Sequence, residues 1–175
     1  HHRIVEGECA AHRAPPRGQS LIIFGMATSD SSLHAPVRPA RVLSIAGSDS
    51  GGGAGIQADL KTFSALGCFG MTAITALTAQ NTLGVSGIHA VPAAFVRAQI
   101  DAVVQDIGVD AVKIGMLHTP EVVGVVADAI ERHALQRVVL DPVMVATSGD
   151  RLVLQETVAL MVRSLFPRVE IGRAS

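Results

Sequence analysis

Apolar positions between residues 41 and 169 alternate between short continuous runs and stretches with helical spacing. Val42-Leu43-Ser44-Ile45-Ala46 is a β-rich run, and Gly47 to Gly55 reads as a glycine-rich loop. Ile56, Leu60 and Phe63 then recur at helical spacing, and Gly67 stops that helix. Thr72 to Ala79 reads as a second strand, alternating through Ile74, Ala76 and Thr78. Pro92 opens a helix whose Val96, Ile100, Val103 and Ile107 share one face. Ala111 to Met116 is strand-like. Pro120 opens a third helix through Glu131, with Val123, Val126 and Ile130 inward. Val138 to Asp141 is another strand, ended by Pro142, and Glu156 to Leu165 is a fourth helix. Pro167 to Glu170 is a possible entry into one more strand.

Strand and helix therefore alternate four times. Parallel strands need crossovers, and helices supply them, so this order predicts an open α/β sheet with helices on both faces. Ligands collect beyond the carboxyl ends of such strands. That rule selects the loops after Ala46, Ala79, Gly115 and Asp141.

The ends of the chain differ from its middle. Residues 1–40 carry His, Arg, Pro, Ser and Gly without periodicity and read as disordered or non-native sequence, with Met26 a natural start. The domain is expected over 41–169, with 170–175 a short tail. A sheet interrupted there would expose an unpaired edge or an uncovered face.

Composition narrows the function classes. Hydrophobic residues make up 49% of the 175 and charged residues 17%, which suits helices packed on a buried parallel sheet. The formal net charge of −1, without a basic cluster, argues against a nucleic-acid partner. Two distant cysteines make a disulfide framework improbable and a reducing cytoplasm the expected location. No apolar run is long enough to span a membrane.

The strongest local signal is Gly47-Ser48-Asp49-Ser50-Gly51-Gly52-Gly53-Ala54-Gly55, placed between a strand and a helix. Its glycines permit close backbone approach to a ligand, and the following helix start brings free N–H groups to the same spot. It is not a P-loop, since no Gly-Lys-Ser/Thr follows, and Ile56 occupies the third glycine position of the dinucleotide pattern. The alternative is a turn that merely needs glycine. Asp59, one turn into the helix, either complements the helix dipole or binds a ligand amine. Gln80 and Asn81 can read a heterocycle edge or cap the turn before Gly84. Asp141 can hold Mg²⁺ through water at the sheet's ligand edge, or start a turn before Pro142. Lys113, inside an apolar strand, needs a partner: it ion-pairs or reaches the site. Met116 on its own reads as core.

Four segments together resemble one family. Ala46 through Thr62 resembles the amino-terminal motif of hydroxymethylpyrimidine/phosphomethylpyrimidine kinases, of the ribokinase superfamily. Thr75-Ala76-Leu77-Thr78-Ala79-Gln80-Asn81-Thr82, Lys113-Ile114-Gly115-Met116-Leu117 and Leu140 through Gly149 resemble later segments of that family, in its order. The resemblance implies a ribokinase-like fold and phosphorylation, dependent on ATP and Mg²⁺, of 4-amino-5-hydroxymethyl-2-methylpyrimidine and then of its monophosphate. It implies that Gly47, Ala54, Asp59, Thr78, Gln80, Met116 and Val143 line a pyrimidine pocket around one hollow. Gln80 would bond the ring edge, Asp59 would lie near the hydroxymethyl group, and Asp141 near Mg²⁺ and the ATP phosphates. A homodimer is the family's expected assembly.

One family feature finds no counterpart. The Gly-Thr-Gly-Cys type segment, which carries the anion hole and the catalytic base, matches nothing in residues 145–175. The chain is thus expected to be incomplete at its carboxyl end and to show at most traces of kinase activity alone. The rival readings are a pyridoxal-type kinase of the same fold and a non-catalytic ligand-binding fragment. A nicotinamide dehydrogenase is disfavoured by the failed dinucleotide spacing.

Overall fold

The computed structural model describes residues 38–143, 153, 155–169 and 171–172. Its sheet is built outward from strand β1 (Arg41–Asp49), which pairs in parallel with β2 (Phe69–Asn81) on one side and β4 (Ala111–Ile114) on the other. Beyond β4 lie β5 (Val138–Leu140) and the two-residue β6 (Ile171–Gly172), both parallel. Strand β3 (Gly84–Ala90) folds back antiparallel on β2, so the sheet order is β3-β2-β1-β4-β5-β6.

The register assigns the two faces. Leu43 lies between Met71 and Val112, and Ile45 between Ala73 and Ile114, so these side chains share one face. Helices α2 (Ala93–Asp106) and α3 (Pro120–Arg132) deliver Val96, Ile100, Val122, Val123, Val126 and Ile130 to the same apolar cluster. Helix α4 (Gln155–Ser164) adds Met161. Helix α1 (Gly55–Ala65) packs on the opposite face. There the strand must stay thin: a Cβ on Gly70 would stand 2.8 Å from a Leu60 methyl carbon. Ala46 and Ile56 are buried on this side, outside the main cluster.

Helix α3 shows why the apolar spacing was readable. Pro120 presets the first helical φ, and the Thr119 hydroxyl accepts a long hydrogen bond from the Val122 N–H at 3.4 Å. The Glu121 carboxyl is held below its ordinary range by its own backbone N–H and then by Thr119, which suits an anion at a helix start. No helix among the described residues is long and apolar enough to cross a membrane.

Three expectations are corrected. Gly47, Ser48 and Asp49 continue β1 rather than opening the loop, because they keep pairing with β2 past a register shift between Ala46 and Ser48. The hairpin strand β3 has no counterpart in the reading of the sequence. Phe166–Arg168 forms a 3-10 turn, and the expected strand pairs only from Ile171, three residues beyond it. The proposed start at Met26, most of the 1–40 extension and Met144 to Gly149 of the fourth motif lie outside the described residues.

Candidate active site

Because β1, β2, β4 and β5 run parallel, their carboxyl ends meet along one edge of the sheet. Every residue proposed for the pocket lies on, or just after, one of those ends or in the loop and helix that follow β1.

At the end of β1 the organising group is Asp49, only 5% exposed. One carboxylate oxygen accepts the Gly51 N–H at 2.8 Å; the other accepts those of Gly53 (3.0 Å) and Ala54 (2.8 Å). An internal anion thus takes three of the amides that the glycine run was expected to offer to a ligand. This role escaped the reading of the sequence, although an Asp opening a glycine turn is its signal. Gln57 ties strand to helix: its side-chain oxygen accepts the Asp49 N–H at 2.8 Å and its amide donates to the Ser48 hydroxyl at 2.8 Å. Gly55 has φ +55° and faces the Gly47 carbonyl so closely that a Cβ would run into it.

The end of β2 is stitched to the same loop. The Ser50 hydroxyl donates to the Gln80 carbonyl (2.6 Å) and accepts the Gln80 N–H (2.8 Å). The Thr78 hydroxyl lies 2.8 Å from the Ser48 carbonyl and 3.2 Å from the Gln80 side-chain oxygen. The Gln80 side chain is therefore steered by Thr78. Asn81 takes the turn role instead: its side-chain oxygen accepts the N–H groups of Leu83 (2.9 Å) and Gly84 (3.2 Å).

After β4 the chain passes through Gly115, where a Cβ would lie 2.9 Å from that of Ala46. The next residue, Met116, is 7% exposed, and its carbonyl accepts the Thr75 hydroxyl at 2.7 Å. Its methyl group lies over Gly47, 2.5 Å from where a Cβ would stand. Gly47 and Met116 are thus brought into contact, and Gly47 leaves the space that Met116 fills.

Asp59, one turn into α1, reaches down to the sheet. Its carboxylate accepts the Ser44 hydroxyl at 2.6 Å and is paired with Lys113 Nζ at 3.0 Å. The lysine inside the apolar strand has found its counter-charge, as its position required. After β5, the Asp141 N–H donates to the Ile114 carbonyl at 2.8 Å, which sets Asp141 beside Gly115. Its half-buried carboxylate is the kind of hard oxygen ligand that Mg²⁺ takes. Among the described residues no three His, Cys, Asp or Glu side chains group as a metal set. Val143 packs against the main core.

The predicted residues thus fall into local sets: Gly47 with Met116, Thr78 with Gln80, Ala54 with Asp49, and Asp59 with Lys113. An open depression of about 420 Å³ lies on the β2–β3 hairpin, lined by Leu77, Thr78, Ala79, Gly87, Ile88 and His89. Of the predicted set it includes Thr78.

Known proteins carry the same segments. A family model for phosphomethylpyrimidine kinase matches residues 49–172. The chain is 58% identical over 125 residues to a hydroxymethylpyrimidine/phosphomethylpyrimidine kinase of Rhizobium meliloti, covering 71% of this chain and 47% of that one. A solved phosphomethylpyrimidine kinase of Clostridium difficile superposes with a TM-score of 0.72 at 45% identity, over 76% of this chain and 58% of that one. An ADP complex of Bacillus subtilis pyridoxal kinase gives a TM-score of 0.68 at 36% identity, over 77% of this chain and 50% of that one. The chain spans about half the length of these relatives. With the match running from the Asp49 loop to the last strand of a ribokinase-like sheet, the chain belongs to the phosphomethylpyrimidine kinase family.

Proposed function

We propose that this chain carries the pyrimidine-binding part of a kinase that transfers a phosphoryl group from ATP to 4-amino-5-hydroxymethyl-2-methylpyrimidine, and then to its monophosphate, in thiamine biosynthesis. What supports the reading is that Gly47, Thr78, Gln80 and Met116 lie on or just after the carboxyl ends of β1, β2 and β4, with Ala54 and Asp59 on the loop and helix that follow β1. The Met116 thioether would pack against the face of a flat ring, and Gln80 would supply the donor and acceptor that a ring edge needs. Val143 would close the apolar side.

Asp141 would sit near the ATP phosphates and hold Mg²⁺ through water. The metal, when bound, would neutralise phosphate charge, and phosphoryl transfer depends chiefly on such neutralisation and on positioning. This chain's own residues would bind the pyrimidine, orient its hydroxymethyl group and keep water from its ring face.

The likeness to a pyridoxal kinase favours a second reading, in which a pyridine ring occupies the same place. Isothermal titration of the 175-residue chain separates the two. The pyrimidine should bind and pyridoxal should bind much more weakly; the reverse order would transfer the assignment to pyridoxal, and heat from neither would remove both. A coupled assay with ATP, run alongside, should show at most trace turnover by this chain.

A further inference from the structure

The Asp59–Lys113 pair crosses the sheet's polar face at an unusual place. Ser44 and Lys113 are paired partners inside β1 and β4, where parallel strands ordinarily present apolar side chains. Ser44 is fully buried. The side chains of Lys113 and Asp59 retain 25% and 14% exposure, so the pair is not sealed. Gly115 lies against it: a Cβ there would come within 3.1 Å of Lys113 Nζ. The two charges therefore border the Gly115–Met116 turn and the start of α1, which are walls of the pocket proposed above.

Counting donors and acceptors shows what the pair has left. The Asp59 carboxylate has about four acceptor positions, and the Ser44 hydroxyl and the ammonium use part of them. The Lys113 ammonium has three N–H donors, and Asp59 engages it through both oxygens, at 3.0 Å each. By this count one acceptor and one donor remain. A primary alcohol is both a donor and an acceptor, so it satisfies both at once. A methyl group satisfies neither.

Resting on the proposed pyrimidine reading, we propose that Lys113 is a specificity-determining residue: with Asp59, it reads the hydroxyl of the substrate's hydroxymethyl group. Ser44 is a positioning residue that fixes the carboxylate while the hydroxyl exchanges. A site built to bond a hydroxyl rejects the analogue lacking it, because its polar groups are then left unpaired.

The test is a ligand-by-variant cycle on the full 175-residue chain. Binding of 4-amino-5-hydroxymethyl-2-methylpyrimidine is compared with that of 4-amino-2,5-dimethylpyrimidine, which differs only by the oxygen. The unaltered chain should prefer the alcohol by roughly ten- to a hundredfold, the range for a hydrogen bond to a charged group. Lys113→Met should lose most of that preference by weakening the alcohol alone. A merely structural lysine would lower both affinities together and leave their ratio intact, and that result overturns the proposal. Should Lys113→Met unfold, the neutral pair Asp59→Asn/Lys113→Met leaves no lone buried charge, and the same ratio decides. If the unaltered chain binds both pyrimidines equally, the dyad reads no hydroxyl while the pyrimidine reading stands. If it binds neither, the reading itself goes and the dyad's role with it.

Discussion

The two faces of this sheet are made by the same strands yet obey different rules. On the α2–α3 face, Leu43, Ile45, Val112, Ile114, Val138 and Leu140 join one apolar cluster with residues of the helices. One residue along each strand, on the α1 face, Ser44 and Lys113 point at Asp59, and glycines at 70 and 115 make room for close neighbours. A strand's alternation lets one face store stability while the other holds charge. The separation means that substitutions on the two faces should differ in kind. The apolar face should respond in melting temperature, and the polar face in ligand discrimination.

The largest effect is expected from breaking the apolar face. Leu43→Ala removes a fully buried side chain from the central strand and leaves a cavity, at a cost of about 3 kcal/mol. For a domain of this size that is a melting temperature lower by roughly 10 °C in calorimetry. A change of only a degree or two would show that the cluster around β1 repacks freely.

Asp49→Ala comes next. It strips the shared acceptor from the amides of Gly51, Gly53 and Ala54, two of the three bonded to a single oxygen. Those amides lie in an exposed loop and can turn to water, so a cost of about 1–2 kcal/mol is expected. The sharper measurement is amide hydrogen exchange. Gly51, Gly53 and Ala54 should lose protection while Leu43 and Ile45 keep theirs. Unchanged exchange in the loop would mean that its shape is held by Gln57 and Ser50 instead.

How far these features were legible follows from where they sit. Helices α2 and α3 announced themselves because Val96, Ile100, Val123, Val126 and Ile130 repeat at helical spacing and all reach one core. Strand β3 did not, since Gly84-Val85-Ser86-Gly87-Ile88-His89-Ala90 has two glycines, and as an edge strand it buries little. The partnership of Lys113 could be foreseen as a need, since a charge in an apolar strand must be compensated. Its partner could not be, because Asp59 is 54 residues away and only the fold sets α1 over β4. The end of β1 was placed too early for a related reason. Glycine signals a loop locally, whereas the pairing of Ser48 with Leu77 and of Asp49 with Thr78 is a tertiary fact. The motif residues were found through resemblance, and the bond pattern that makes Asp49 the loop's organiser is visible only in three dimensions.

The smallest effect compares two ion pairs. At the amino ends of β1 and β4, Arg41 clips to Asp110: its Nε lies 2.9 Å from one carboxylate oxygen and its Nη2 2.6 Å from the other. The Arg41 side chain, then its backbone N–H, hold the Asp110 carboxyl far below the usual carboxylate range. A depressed folded-state pKa means that the stabilisation is fully present above the unfolded value, near pH 4, and is lost as pH falls further. Asp110 is 38% exposed, so the contribution is screened by solvent. Asp110→Asn should lower the melting temperature at pH 7 less than either substitution above. The gap to the unaltered chain should narrow as the buffer is taken from pH 5 to pH 3, and also in 1 M salt, where the screening length falls to about 3 Å. The alcohol preference set by Asp59 and Lys113 should keep its value across the same salt range, since the Asp59 carboxylate is 14% exposed against 38% for that of Asp110. A preference that fell with salt as the Arg41–Asp110 contribution does would place both pairs on the surface and erase the distinction between the two.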